Sequence, residues 1–290
     1  MQSRRVRGAA GEPLPEVYKT LAQMGVHFRR GQLVLVCGGP GTGKSGFALN
    51  YALRARVPTL YLSADSDAYT QLSRAIAITT GKTLEEAEEL ILADDLSGVA
   101  EQLAGHPMRL NYSASPTLAD IELSIESYEE VYGDYPTLVI IDNVTNVEAD
   151  TGEEGDPFSG LEGLMDYLHT MARETQACVL GLHHVTGTYN DSEKPIPMSG
   201  VKGQITRVPE MVITLHRPYS GTLGASPVKN RGGKADASGN TFAELEFIGD
   251  KMLIRDYPVP TMSSPTFDEA EDGDDVDDTR RELMEMGLPL

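Results

Sequence analysis

One stretch decides what this chain can fold into: Gly38-Gly39-Pro40-Gly41-Thr42-Gly43-Lys44-Ser45. It follows an apolar run at residues 33–37 and opens a helical pattern from Gly46 to Leu53. The G-x-x-x-x-G-K-[ST] pattern carries weight because it stands in this strand–loop–helix setting. Glycines let main-chain N–H groups approach phosphate oxygens, and a helix N-terminus favours an anion. Gly38, Gly39, Pro40, Gly41, Thr42, Gly43, Lys44, Ser45 and Gly46 are therefore expected to hold the phosphates of a nucleoside triphosphate. Lys44 is placed to reach the β- and γ-phosphates, and Ser45 to ligate Mg²⁺.

Composition narrows the setting. No apolar run approaches the ~20 residues that a membrane span requires. The basic first ten residues lack the apolar stretch of a signal peptide. The two cysteines, Cys37 and Cys178, fall in expected buried strands. That pattern gives no disulfide framework or cysteine metal cluster, and a reducing cytoplasm is the expected compartment. With 24 Lys and Arg against 44 Asp and Glu, the net charge is −20. Residues 268–290 hold ten acids and two bases, so residues 1–267 still carry 22 − 34 = −12. Any nucleic-acid contact must then be a local basic patch.

Along the chain, residues 1–13 read as a flexible tail and residues 14–26 as a short amphipathic helix. Strands are expected near 32–37, 58–63, 107–112, 137–142, 177–182 and 211–215. Helices are expected after the phosphate loop, from Gln71, from the capping box Thr83–Glu86, from Thr117, and over 161–173. Residues 148–160 read as an acidic loop and 185–207 as a long polar one. Late strands near 225–229, 242–248 and 251–256 suggest a hairpin or meander. The fold class is α/β, a mainly parallel sheet flanked by helices with a late antiparallel hairpin. One domain, 14–257, ends at Pro258, Pro260 and Pro265. Residues 258–290 form an acidic tail, expected to be disordered or to dock a partner through its apolar tip. Its Asp268–Gly273 segment fails as a calcium loop, because Ala270 and Thr279 stand where ligands belong.

Three strand ends supply the remaining chemistry of γ-phosphate hydrolysis, since ligands of open α/β sheets bind there. Asp142, after an apolar strand, is expected to serve the Mg²⁺ shell. Asp65 is a candidate to activate water, with a helix N-cap as its rival role. His184 is a candidate sensor of the γ-phosphate, passing its state to the following loop. A structural role, or a metal role shared with His183, remains open.

These segments resemble the RecA-like ATPase core, and most closely the C-terminal motor domain of DnaB-type replicative helicases. Residues 31–50 resemble that family's first strand, phosphate loop and helix, and residues 138–142 its Walker B strand. Residues 177–184 resemble its next strand, with His184 where the family usually has Gln. Lys229-Asn230-Arg231 is similar to the family's Lys-x-Arg segment, which implies that Lys229 and Arg231 reach a neighbouring subunit's ATP, Arg231 as an arginine finger. The resemblance spans about residues 30–256. It implies ATP and Mg²⁺ as cofactors, and self-assembly as a hexameric ring or filament.

Three departures stand out. Asp65 is one methylene shorter than the family's usual Glu. Where the family has its helical N-terminal domain, thirteen residues and one short helix are expected. The loop after Asp142 carries five acids in nine residues, Glu148, Asp150, Glu153, Glu154 and Asp156, so Lys194, Lys202 and Arg207 are the better candidates for nucleic acid. The expected function is an ATP-driven motor on single-stranded DNA in replication, a minimal DnaB-like helicase. The alternatives are a RecA-like recombination ATPase, or a slow nucleotide-dependent switch that binds partners such as a replication protein through the acidic tail.

Overall fold

The computed structural model describes residues 11–148 and 157–258. Arg4, Arg5 and Arg7, the acids Asp150, Glu153, Glu154 and Asp156, and the acidic tail from residue 259 lie outside the described residues.

Nine strands form one sheet in the order β3-β2-β4-β5-β1-β6-β7-β8-β9. They are β1 (Leu33–Cys37), β2 (Thr59–Ser63), β3 (Met108–Asn111), β4 (Leu138–Asp142), β5 (Cys178–His183), β6 (Met211–His216), β7 (Thr222–Asn230), β8 (Ala243–Ile248) and β9 (Leu253–Asp256). β1 to β6 pair in parallel, and β6 to β9 continue as an antiparallel meander.

The apolar runs explain this layout. Every residue of β1, β2, β4, β5 and β6 is buried. Strands buried on both faces read as continuous apolar runs, as central parallel strands do. Alternate residues serve two layers. Val34 and Val36 face Phe47, Ala48 and Leu49 of α2 (Lys44–Ala55). Leu33, Leu35 and Cys37 face Ile121 and Ile125 of α6 (Leu118–Tyr132), and Leu168 of α7 (Pro157–Thr175). Each such side chain contributes about 1.5–3 kcal/mol on burial. A smaller cluster joins α3 (Ala68–Thr80), α4 (Leu84–Leu92) and α5 (Ser97–Ala104) around Ile76, Ala87 and Val99.

Helix starts follow their caps. Thr83 with Glu86, and Thr117 with Asp120, form reciprocal capping boxes.

Several expectations need correction. The first helix, α1, spans only Lys19–Gln23. Pro13 and Pro15 keep the preceding residues extended, and Leu14 instead bonds Phe28 across an antiparallel contact. Residues 11–13 are not a free tail: Gly11 N–H donates to the Arg30 carbonyl at 3.0 Å, and Pro13 pairs with Arg29. The helix expected over 161–173 starts earlier, at Pro157, because proline is tolerated in a first helical turn. β5 ends at His183, so His184 stands one residue past it. No described helix is long and apolar enough to cross a membrane.

Candidate nucleotide site

Register brings the chemistry to one edge. Cys37 pairs with His183, and Ser63 with Asp142. The residues that follow Cys37, Ser63, Asp142 and His183 therefore leave the sheet side by side. This is the carboxyl edge, where open α/β sheets bind ligands.

The phosphate loop occupies that edge. Gly43 caps α2 with φ 115°, and among the described residues no side chain caps the helix, so the N–H groups of its first turn have no intrahelical acceptor. Gly41 also has positive φ, 71°. The Lys44 side chain is folded back on the loop, donating to the carbonyls of Gly38 at 3.1 Å and Gly39 at 2.9 Å. Burial pulls its amine below the usual lysine range, against the pull of Asp142, Cys37 and Asp65. Asp142 is 1% exposed. Burial pushes its carboxyl up, against the Ser45 and Tyr61 hydroxyls, and Tyr61 donates to Oδ2 at 2.8 Å. A buried amine and a buried carboxyl held against their preferred charge states suit an anion and a cation that share the site.

Asp65 sits beside this pair. Its N–H and that of Ala64 donate to the Asp142 carbonyl at 3.1 and 2.7 Å. It is not the N-cap of α3; that role belongs to Asp67, whose carboxylate accepts the Thr70 N–H. The Asp65 side chain is exposed, and its charge acts weakly on both Lys44 and Asp142.

His184 meets the same group from the other side. Its Nε2 lies 2.6 Å from Asn143 Nδ2, next in chain to Asp142. Burial and the Lys44 ammonium pull its ring below the usual histidine range. Among the described residues, Asn143 Oδ1 is buried without a partner. His183 points elsewhere, its Nε2 bonded to the Lys202 carbonyl at 2.8 Å. Among the described residues, no group of three or more His, Cys, Asp or Glu is placed to hold a metal. Cys37 and Cys178 are free and buried, their thiols pushed up to about 12 by burial.

Four residues of this edge escape sequence reading. Asn143 is one. Ser192 is another: its buried hydroxyl accepts the Gly39 N–H and the Thr42 hydroxyl, both at 2.8 Å. Arg217 lies 4.3 Å from the centroid of the Phe247 ring and donates from Nε to the Thr42 carbonyl at 3.0 Å. Beside them opens a cavity of about 700 Å³ that Asp191, Lys194 and Tyr219 also line. Arg217 follows β6 directly, so the strand-end rule that selects His184 would have found it. Phe247 and Ser192 leave no comparable signal, since only hairpin pairing and loop packing bring them in.

The other predicted residues lie apart. Asn230 pairs with Met211, and Val34 pairs with that same residue, so Arg231 stands at the amino edge of the parallel strands. Four strand steps put it at least about 13 Å from its own phosphate loop. Its guanidinium donates to the Arg207 carbonyl at 2.9 Å and is exposed. Lys229 donates to the carbonyls of Thr206 at 2.6 Å and Arg207 at 2.7 Å. Burial and then Arg231 bring its amine down to about 8.

Lys194, Lys202 and Arg207 do not form one patch. Lys194 flanks the phosphate loop, Lys202 is tied to the end of β5, and Arg207 sits with Arg231.

Sheet order, phosphate loop and strand-end acids together define a RecA-like P-loop core. The family model described as AAA domain matches residues 9–188, so the chain belongs to the AAA domain family. Gene 65 protein of Mycobacterium phage L5 is 58% identical over 261 residues, covering 88% of this chain and 97% of that protein. Gene 65 protein of Mycobacterium phage D29 is 56% identical over 230 residues, covering 78% and 99%.

Solved structures agree on the fold. A DnaB-like replicative helicase, described with its interactions with primase, superposes with TM-score 0.73 at 16% identity. That match covers 88% of this chain and 64% of the helicase chain. The ATPase domain of G40P gives 0.75 at 16%, covering 89% and 96%. The RadB recombinase gives 0.58 at 17%, covering 84% and 100%. The core is thus a RecA-like ATPase fold that resembles DnaB.

Proposed function

We propose that the protein hydrolyses ATP to move on single-stranded DNA, as a DnaB-like motor whose subunits complete one another's sites. The observation that carries this reading is the split of the chemistry between two sheet edges. Lys44, Ser45, Asp65, Asp142 and His184 converge at one edge, and Lys229 and Arg231 stand at the other. A side chain at the amino edge has no reach to its own phosphate loop, whereas a neighbour stacked edge to edge meets it.

In this reading Lys44 turns from the Gly38 and Gly39 carbonyls to the β- and γ-phosphates. Ser45 and Asp142 would hold Mg²⁺, which when bound neutralises phosphate charge. Asp65 orients water and takes its proton. Arg231 of one subunit stabilises the transferring phosphoryl of the next, an effect worth about 10³–10⁵ in rate. Arg217, exposed beside Gly43 and resting on the buried Phe247 ring, offers a cation to the base.

Coupling to DNA rests on Lys202. Its N–H donates to the His184 carbonyl at 3.3 Å, and its carbonyl accepts His183 Nε2. The loop that carries this exposed lysine is therefore tied to the candidate γ-phosphate sensor. The test is ATP turnover with and without single-stranded DNA, at stepped salt, with Lys44→Ala as the blank. DNA should stimulate turnover in the wild type alone, and the DNA affinity should fall steeply with salt. Turnover that DNA leaves unchanged at every salt concentration contradicts the motor and favours a nucleotide-dependent switch.

A further inference from the structure

At the amino edge, one residue joins the strand that feeds a subunit's own phosphate loop to the arginine offered to its neighbour. Glu210 immediately precedes β6. Its carboxylate Oε2 accepts the Leu33 N–H at 3.0 Å, and its own N–H donates to the Leu33 carbonyl at 3.0 Å. It is thus fastened to the first residue of β1 by both backbone and side chain. Its carbonyl accepts the Arg231 N–H at 2.9 Å. Its second carboxylate oxygen lies 2.9 Å from His169 Nε2 on α7. The Glu210 side chain is 16% exposed. Around it opens a cavity of about 560 Å³ shared by Arg30, Arg173 and Arg231.

We infer that Glu210 is a positioning residue for Arg231, fixing the arginine at the amino edge to the β1 strand that ends in the phosphate loop. The inference rests on the reading that Arg231 acts on a neighbouring subunit's ATP. Among the described residues the exposed guanidinium has one acceptor, the Arg207 carbonyl, so its placement is inherited from the backbone. The Arg231 backbone hangs on the Glu210 carbonyl, and Glu210 hangs on Leu33. Removing the carboxylate leaves the Leu33 N–H and the His169 ring without their acceptor, and lets the start of β6 shift against β1. A misplacement of about 1 Å in a catalytic group costs up to about 10²-fold in rate. The same linkage runs in reverse: a shift of β1 when the phosphate loop fills is passed to the arginine serving the next subunit.

Complementation between subunits tests this. Glu210→Ala should bind a fluorescent ATP analogue as the wild type does, yet turn ATP over about tenfold to a hundredfold more slowly. Glu210→Gln keeps an oxygen for the Leu33 N–H and should restore most of the turnover. Lys44→Ala subunits have a dead phosphate loop and an intact Arg231. Mixed with Glu210→Ala they should recover activity, as they should with Arg231→Ala, the reference pair. If the reference pair recovers and the Glu210→Ala pair does not, Glu210 serves its own site and the inference is overturned. If neither pair recovers, the inter-subunit reading fails and takes the inference with it. Loss of nucleotide binding in Glu210→Ala, or wild-type turnover, also overturns it.

Discussion

Lys44 and Asp142 lie together in the candidate site, and both are costly to bury. A buried ion is retained where a partner compensates it. Here the lysine leans on carbonyls and the acid on a tyrosine hydroxyl. Both were legible from motif and strand end. Phe247 was not, because nothing in its neighbourhood marks it until β8 pairs with β7. Its role is open to a direct check. Phe247→Ala removes the buried ring on which Arg217 rests and should raise the KM for ATP several-fold with kcat nearly unchanged, since a cation–π contact to the base is worth about 0.5–2 kcal/mol. Inhibition by inorganic tripolyphosphate, which has no base, should not move. Equal weakening of both ligands would place Phe247 in loop packing alone.

Two other histidines make a pH prediction at the same scale. Burial, in the first place, pulls the rings of His183 and His216 down from 6.5 to about 4. The native state then refuses protons that the unfolded chain accepts. Their contribution to stability is complete above 6.5 and is lost as pH falls toward 4. Ring NMR at about pH 5 should find both neutral, where an ordinary histidine is mostly protonated. Titration near 6.5 would contradict their burial.

Among the elements, legibility followed local chemistry. Apolar runs gave the central strands, because a strand buried on both faces has no polar positions to blur it. Thr83 and Thr117 gave helix starts through capping boxes that read directly off the sequence. The first helix was overextended because Leu14 and Val17 serve the core from non-helical backbone as well as they would from a helix. The 185–207 segment was the least legible. Its polar residues fit solvent or nucleic acid equally well, yet Ser192 turns inward onto the phosphate loop. That contact makes Gly39 sterically special. A Cβ there would lie 2.2 Å from the Asn190 carbonyl oxygen and 2.6 Å from Ser192 Oγ. Gly39→Ala should cost about 1–3 kcal/mol through overpacking. Gly41→Ala meets open space and carries only the strain of a positive φ, about 1–2 kcal/mol. Thermal melting should rank Gly39→Ala as the less stable. The opposite order would mean that the loop does not rest on Gly39 in solution.

Across the whole molecule, the sheet separates two groups of residues. One edge gathers the phosphate loop with Asp65, Asp142 and His184, and the other presents Lys229, Arg231 and Glu210. Sequence resemblance suggested that division, but it could not show that Arg231 lies a full strand length from its own phosphate loop. Register made that visible, because Met211 pairs with both Val34 and Asn230. Composition left the DNA contact open, since −20 overall hides where single lysines stand. The most direct test is ATP binding and ATP turnover of Arg231→Ala, measured side by side. Binding should stay within about twofold of the wild type while turnover falls about 10³-fold or more, the signature of a group used only in the transition state. Turnover at the wild-type rate would contradict a site completed by a neighbouring subunit.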